Sequence, residues 1–335
     1  MKIPRTQIDS LQALGYTEEE ARFLYLVATH SGYFVARQFL GFTGAYWGKR
    51  TTLFWNKLQA DQHARTYRFA KGGTAYHLFS RKVYRAIGRE NLRNRREHEL
   101  EYIRTRVAML DFVLGNLELD YLETEPDKVA YFCTTLQLPK QHLPCKTYSG
   151  RHTAAPTVRY FVDRHPMFVL APSSGSQIVT LTYIQDAEAS LMGFVHHLQM
   201  YLPLFRELSE FRFLFLARSE AHFPKVSELF HDLVTIPLES NPAEDLLRYF
   251  AIRKAWDLAH YTSLTEGDLI FRNLAKERFQ GTRFEHLYRA WKVGRVVDAE
   301  IREDLRGSAK PHTVQFDTQT LRAIAPSDGM VEEQR

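Results

Sequence analysis

The residues best suited to chemistry cluster between Tyr33 and Phe79, and their types suit contact with a phosphate backbone and base edges. Tyr46, Trp47, Lys49, Arg50, Thr52, Asn56 and Lys57 crowd into one short stretch, with Arg37 just ahead of it. Lysine and arginine neutralise phosphates and reach guanine edges, and asparagine pairs with adenine in the major groove. Arg65, Arg68, Lys71 and Gly72 follow. Gly72-Gly73 supplies the positive φ angles of a tight hairpin, and Lys71 at its tip reaches toward a phosphate.

These side chains need elements to hold them. Residues 35–42 read as a short apolar-periodic helix, and Thr43-Gly44 breaks it. Residues 45–58 read as a second helix with Leu53, Phe54 and Leu58 as its inner face. Two strand-like runs, 65–69 and 74–79, are joined by residues 70–73. Two short helices, a tight turn and a basic hairpin make the order of a winged helix-turn-helix. The second helix then enters the major groove with the hairpin as the wing beside it. An ordinary helical subdomain with a solvated basic face is the competing reading.

Charge placement supports the first reading. Residues 1–106 hold 19 Lys and Arg against 9 Asp and Glu, and the remainder holds 25 against 30. The basic excess therefore lies in the N-terminal third, the electrostatic footprint of a phosphate-binding face. A length of 335 residues suggests about two domains, and 44% apolar content supports real cores. Cys133 and Cys145 exclude a disulfide framework. With His142 and His152 they lack the close Cys-Cys pair of a zinc site, so no metal or cofactor is expected. No apolar run suits a membrane span, and residues 1–5 lack the core of a signal peptide, which points to the cytoplasm.

Ahead of the motif, residues 6–32 read as helices, with Thr17 capping one and Glu20 closing a capping box. Residues 80–87 read as a short helix after the wing. Between 89 and 122, Leu100, Ile103, Val107, Leu110, Leu114, Leu117 and Tyr121 follow alternating steps of three and four. That is an a/d heptad seam, read either as a dimerisation helix or as a helix packed on its own chain. Residues 127–157 read as a loop. Strands at 158–162, 167–170, 177–184 and 211–217, helices at 187–204 and 224–233, and a short strand at 235–236 form a small α/β layer.

That order, with Thr182-Tyr183-Ile184-Gln185-Asp186-Ala187-Glu188-Ala189-Ser190 before a helix ending near Tyr201, resembles the core of PD-(D/E)xK nuclease-like folds. A winged helix ahead of such a domain resembles the replication-relaxation family of plasmid and mobile-element proteins, over roughly residues 10–235. The resemblance implies acidic residues at the strand end and a Pro-Asp pair at the hairpin. This chain has Pro166-Met167, Tyr183 and Gln185 there instead.

A metal-dependent nuclease needs carboxylates for magnesium and a lysine to orient water. Asp163, Asp186 and Glu188 are the local candidates, no lysine follows, and the domain reads as catalytically empty. Phosphate-loop, dinucleotide, His-Glu-x-x-His and Gly-x-Ser-x-Gly signatures are absent. His196-His197 reads as packed or surface histidine, and residues 219–222 as a pocket rim. Basic residues 248–295 are interleaved with acids, which reads as a solvated face.

The expected fold is α+β. It comprises a winged helix-turn-helix (1–88), a long dimerisation helix (89–125), an α/β nuclease-like domain with a small mixed sheet (126–240), C-terminal helices (241–306) and a flexible tail (307–335). The expected function is sequence-specific binding of double-stranded DNA by a homodimer, as a transcriptional regulator or a plasmid replication or mobilisation factor. A possible protein partner would meet the α/β domain, and a metal-dependent nuclease or a protein-interaction scaffold is the alternative.

Overall fold

The computed structural model describes residues 3–69, 73–149, 156–170, 177–185, 190–239, 242–305 and 312–323. The fold is mixed α and β with small sheets, and the chain divides into two compact units. One unit holds residues 1–230 and the segment from 314 onward; the other holds 231–313.

The first unit begins with α1 (Arg5–Gln12) and α2 (Glu18–Leu26). Thr17 caps α2 as its sequence suggests: its hydroxyl accepts from the Glu20 N–H, and the Glu20 carboxylate accepts from the Thr17 N–H at 2.9 Å. A π-helical turn, Val27–Ser31, carries the chain to Gly32, whose φ of +82° reverses it into β1 (Tyr33–Val35). Next come α3 (Ala36–Thr43), ended by Gly44 at φ +61°, and α4 (Lys49–Ala60). Strands β2 (Ala64–Arg68) and β3 (Thr74–Leu78) pair antiparallel, and β1 pairs antiparallel with β3 on its other edge. Phe23, Phe34, Phe39, Phe54 and Trp55 fill the space between helices and sheet, with Phe39 and Phe54 stacked at 4.2 Å. The helix α5 (Arg81–Ala86) and a 3₁₀ turn, Arg93–Arg95, lead to α6.

Helix α6 (Leu100–Leu114) is buried at every position from Arg106 to Leu114. This corrects the dimerisation helix. Ile103, Val107, Leu110 and Leu114 are buried within their own chain, and Leu100 alone among the helical seam residues is well exposed. The helix stops before Gly115, so Leu117 sits in a turn and Tyr121 on a strand. From Arg106 onward the helix is buried on every side and mostly apolar, so it carries the heptad spacing as a by-product.

The segment read as a loop is also structured. It contains β4 (Asp120–Tyr121), α7 (Glu125–Ala130), a π turn Tyr131–Thr135, and a two-stranded antiparallel ribbon of β5 (Cys145–Tyr148) and β6 (Thr157–Tyr160). Thr124 caps α7 through Asp127, and Pro126 occupies the first turn, where its missing N–H does no harm.

Strands β7 (Met167–Leu170), β8 (Ile178–Gln185) and β9 (Glu210–Ala217) follow, with α8 (Met192–Phe205) crossing between β8 and β9 and α9 (Phe223–Phe230) after them. Strands β7 and β8 are antiparallel and β8 and β9 parallel, as a helical crossover requires. A last strand, β10 (Thr313–Thr320), completes a five-stranded sheet of order β10-β9-β8-β7-β4. The tail is therefore ordered at 313–320, where alternating Val314 and Phe316 give half-buried edge positions. Of the rest of the predicted tail, 307–311 and 324–335 lie outside the described residues.

The second unit is helical: α10 (Ile236–Glu239), α11 (Pro242–Asp257), α12 (Glu266–Arg278), α13 (Thr282–Lys292) and α14 (Asp298–Leu305). The predicted strand at 235–236 is helical, and the chain turns between Lys292 and Asp298, separating α13 from α14. Leu246, Phe250, Ala275, Tyr288 and Ile301 form its core. Its basic residues meet acids, as in Arg253–Glu285 at 2.7 Å and Lys292–Asp257 at 2.7 Å, which fits a solvated face.

Candidate nucleic-acid interface

Gly48 stands just ahead of helix α4 as its N-cap, and its N–H donates to the Thr51 hydroxyl at 2.9 Å. Thr51, Phe54, Trp55 and Leu58 are its buried residues, spaced i, i+3, i+4 and i+7. This corrects the predicted inner face: Trp55 belongs to it, and Leu53 is 56% exposed. Lys49, Thr52, Leu53 and Asn56 fall together on the outer face. The spacing of the four buried residues would have found Leu53, had the helix been phased on Trp55.

Just ahead of α4, Tyr46 and Trp47 are 63% and 62% exposed, an uncommon degree for large aromatics. The Trp47 ring lies 6.3 Å from that of Trp55, so one tryptophan is anchored in the core and the next stands outside. On the hairpin, Arg65 is exposed with its guanidinium 4.3 Å over the Phe79 ring, and Arg68 is exposed near the tip. Lys71 and Gly72 lie outside the described residues.

Three predicted contacts are otherwise engaged. Arg37 grips the fully buried Asp111 carboxylate with both guanidinium nitrogens, at 2.6 and 2.7 Å. Gln38 and Arg218 add bonds to the same carboxylate at 2.8 and 3.1 Å. Lys57 points inward, donating to the Gly15 carbonyl and to buried Glu20 at 3.0 Å, with its ammonium 4.9 Å from the Tyr16 ring centre. Both therefore hold the fold and leave the interface. Arg50 pairs with Glu19, but both are about half exposed. Such a surface pair contributes about 0–1 kcal/mol, so Arg50 exchanges partners readily.

Of the nuclease candidates, Asp186 and Glu188 lie outside the described residues. Asp163 belongs to a buried polar group under the sheet. Its carboxylate accepts from the Tyr201 hydroxyl at 3.2 Å, and the His197 Nδ1 stands 3.0 Å away, close but outside hydrogen-bond geometry. Burial works to raise the Asp163 carboxyl, yet the neighbouring His197, His165 and Lys128 together hold it well below the usual range. His196 is exposed, and Glu220 accepts from the Thr320 hydroxyl at 2.8 Å. Among the described residues no group of three or more His, Cys, Asp or Glu is placed to hold a metal ion, and His152 is outside them. Among the described residues no helix is long and apolar enough to cross a membrane.

Comparison with protein-family models, with curated proteins and with solved structures found no match.

Proposed function

We propose that residues 18–78 act as a winged helix-turn-helix that binds duplex DNA through α4 and the β2–β3 hairpin. One observation carries the reading: the outer face of α4 leaves Lys49, Thr52, Leu53 and Asn56 exposed, with exposed Tyr46 and Trp47 ahead of it and exposed Arg65 and Arg68 on the neighbouring hairpin. The order of elements and the sheet order β1-β3-β2 support it.

In this reading α4 lies in the major groove. Asn56 and Thr52 meet base edges, Leu53 packs on a thymine methyl, and Lys49 neutralises a phosphate. Arg65 and Arg68 take phosphates from the wing, and Arg50 joins them by leaving Glu19. The sheet half of the unit serves as a non-catalytic scaffold, since Asp163 is already bonded to Tyr201 with the His197 ring beside it. A role in transcription, or in plasmid replication or mobilisation, follows from the family resemblance. Two-fold pairing on an inverted repeat would use a surface other than the α6 seam.

Fluorescence anisotropy on labelled duplexes tests the assignment of side chains. Lys49→Ala with Arg68→Ala is expected to weaken binding on all sequences, and Asn56→Ala to relax preference at one position by about 1–3 kcal/mol. Unchanged affinity and preference in both variants would remove α4 from the interface.

A further inference from the structure

A cavity of about 70 Å³ lies within the first unit, at the meeting of the π turn after α2, the 3₁₀ turn before α6, α6 itself, α7 and the approach to β7. That is several times the space one water needs. Its wall is unusually rich in cations. Arg93, Arg106, Lys128 and Arg164 all line it, and Arg106 and Lys128 are 1% and 5% exposed.

The two carboxylates in the wall are already taken. Glu125 accepts from Arg159 at 2.6 and 2.8 Å and from the Tyr160 N–H, and Glu123 pairs with Arg89. The four cations rest on neutral groups instead. Arg106 donates to the Ser31 carbonyl at 2.9 Å and to the Asn94 side-chain oxygen at 2.7 Å. Arg164 donates to that same Asn94 oxygen, so two guanidiniums converge on one amide. Lys128 donates to the His165 carbonyl at 3.0 Å. Arg93 packs over the Tyr148 ring at 4.6 Å, and its Nε has no hydrogen-bond partner among the described residues. Buried His30 also lines the cavity with its Nε2 unbonded. Asp163, whose charge acts on Lys128 from outside the wall, is bonded to Tyr201.

Buried charges are ordinarily paired, because an uncompensated ion in a low-dielectric site is strongly unfavourable. Here four positive groups converge, and among the described residues no carboxylate is hydrogen-bonded to any of them. Burial lowers Lys128 to about 8 against the opposing pull of the Asp163 carboxylate, and lowers Arg164 to about 10, with the Arg106 charge adding repulsion at both. The geometry points to a binding site for the phosphate group of a small molecule. Guanidinium forks match phosphate oxygens in pairs, and Lys128 supplies a point charge. The cavity takes one phosphate-sized group. A shallower cleft that shares Leu92, Thr124, Glu125 and Arg159 with it offers room for the rest of a phosphate ester. The anion would tie the N-terminal helices to the sheet half of the same unit, whether or not α4 binds DNA.

Titration calorimetry and thermal melting of the full chain, with inorganic phosphate and with ribose 5-phosphate against chloride at equal ionic strength, test this. The expected result is a saturable Tm increase and measurable heat with a phosphate probe and neither with chloride. Tighter binding of the ester assigns the cleft to its organic part, and equal binding assigns the site to free phosphate. Arg93→Gln, which removes a guanidinium whose Nε has no hydrogen-bond partner among the described residues, and separately Arg164→Gln, should each weaken binding about tenfold, the loss of a charge-assisted bond. Equal effects of phosphate and chloride, or phosphate binding untouched in both variants, would overturn the assignment.

Discussion

Asp111→Ala should destabilise the first unit more than any single loss at the interface. The carboxylate is completely buried and receives two bonds from Arg37 and one each from Arg218 and Gln38. Removing it leaves two guanidiniums without their anion, a change that in buried pairs runs to about 3–5 kcal/mol. Arg37 and Arg218 side chains are 30% and 39% exposed, so water recovers part of their solvation. That places the loss near the lower end, about 3 kcal/mol. For a folded unit of this size each kcal/mol moves Tm by roughly 2–4 °C, giving a fall of roughly 6–12 °C. Urea denaturation followed by tryptophan fluorescence, with thermal melting alongside, measures both quantities. The companion variant Arg37→Gln should lower stability by about 1 kcal/mol and leave DNA affinity within about twofold, because Arg218 and Gln38 still hold Asp111. A loss below about 1 kcal/mol for Asp111→Ala would refute the reasoning, and a tenfold loss of DNA binding in Arg37→Gln would return that residue to the interface.

Other outcomes are equally definite. Gly32→Ala should cost about 3 kcal/mol in denaturation, since a Cβ there would stand 2.2 Å from the Asn94 carbonyl oxygen at a φ of +82°; a melt like that of the parent would contradict the contact. Lys57→Ala should destabilise by about 1–2 kcal/mol through the unpaired Glu20 and leave the salt slope of DNA binding unchanged, which a paired melting and titration experiment reads. Burial lowers His30 to about 3, His77 to about 4 and His165 to about 3, from an ordinary 6.5. The unfolded chain therefore binds more protons than the folded one between pH 6.5 and about 3. Stability from these histidines is complete above pH 6.5 and declines as pH falls through that window. A Tm flat across it would contradict their burial, and His30→Gln should make the decline shallower.

Local signals in the sequence were the readable ones. Thr17 and Glu20 make their capping box within one turn, and Gly32, Gly44 and the 64–78 hairpin act over a few residues. The apolar runs read at 177–184 and 211–217 are the central strand pair, β8 and β9. What failed depends on partners far along the chain. Arg37 meets Asp111 and Lys57 meets Glu20, and nothing near either cation announces the pairing. The heptad spacing of α6 describes which residues are apolar, not what covers them, and a helix buried all round satisfies it as well as a coiled coil does. Phasing α4 on Leu53 instead of Trp55 turned the inner face aside, a small rotation with a large effect on which residues meet solvent. The cationic cavity was the least legible, because Arg93, Arg106, Lys128 and Arg164 come from four separate segments.

The measurement that tests the central claim most directly is a titration of the full chain against duplex fragments from its own gene neighbourhood, at two salt concentrations. DNA binding through Lys49, Arg50, Arg65 and Arg68 predicts a tight complex on one fragment, with log K falling by about 0.9 per phosphate contact for each tenfold rise in salt. Lys49→Ala should then shorten that slope by about one unit. Uniformly weak binding to every fragment, with a slope the same in Lys49→Ala, would contradict it and leave the N-terminal helices and hairpin as a structural module.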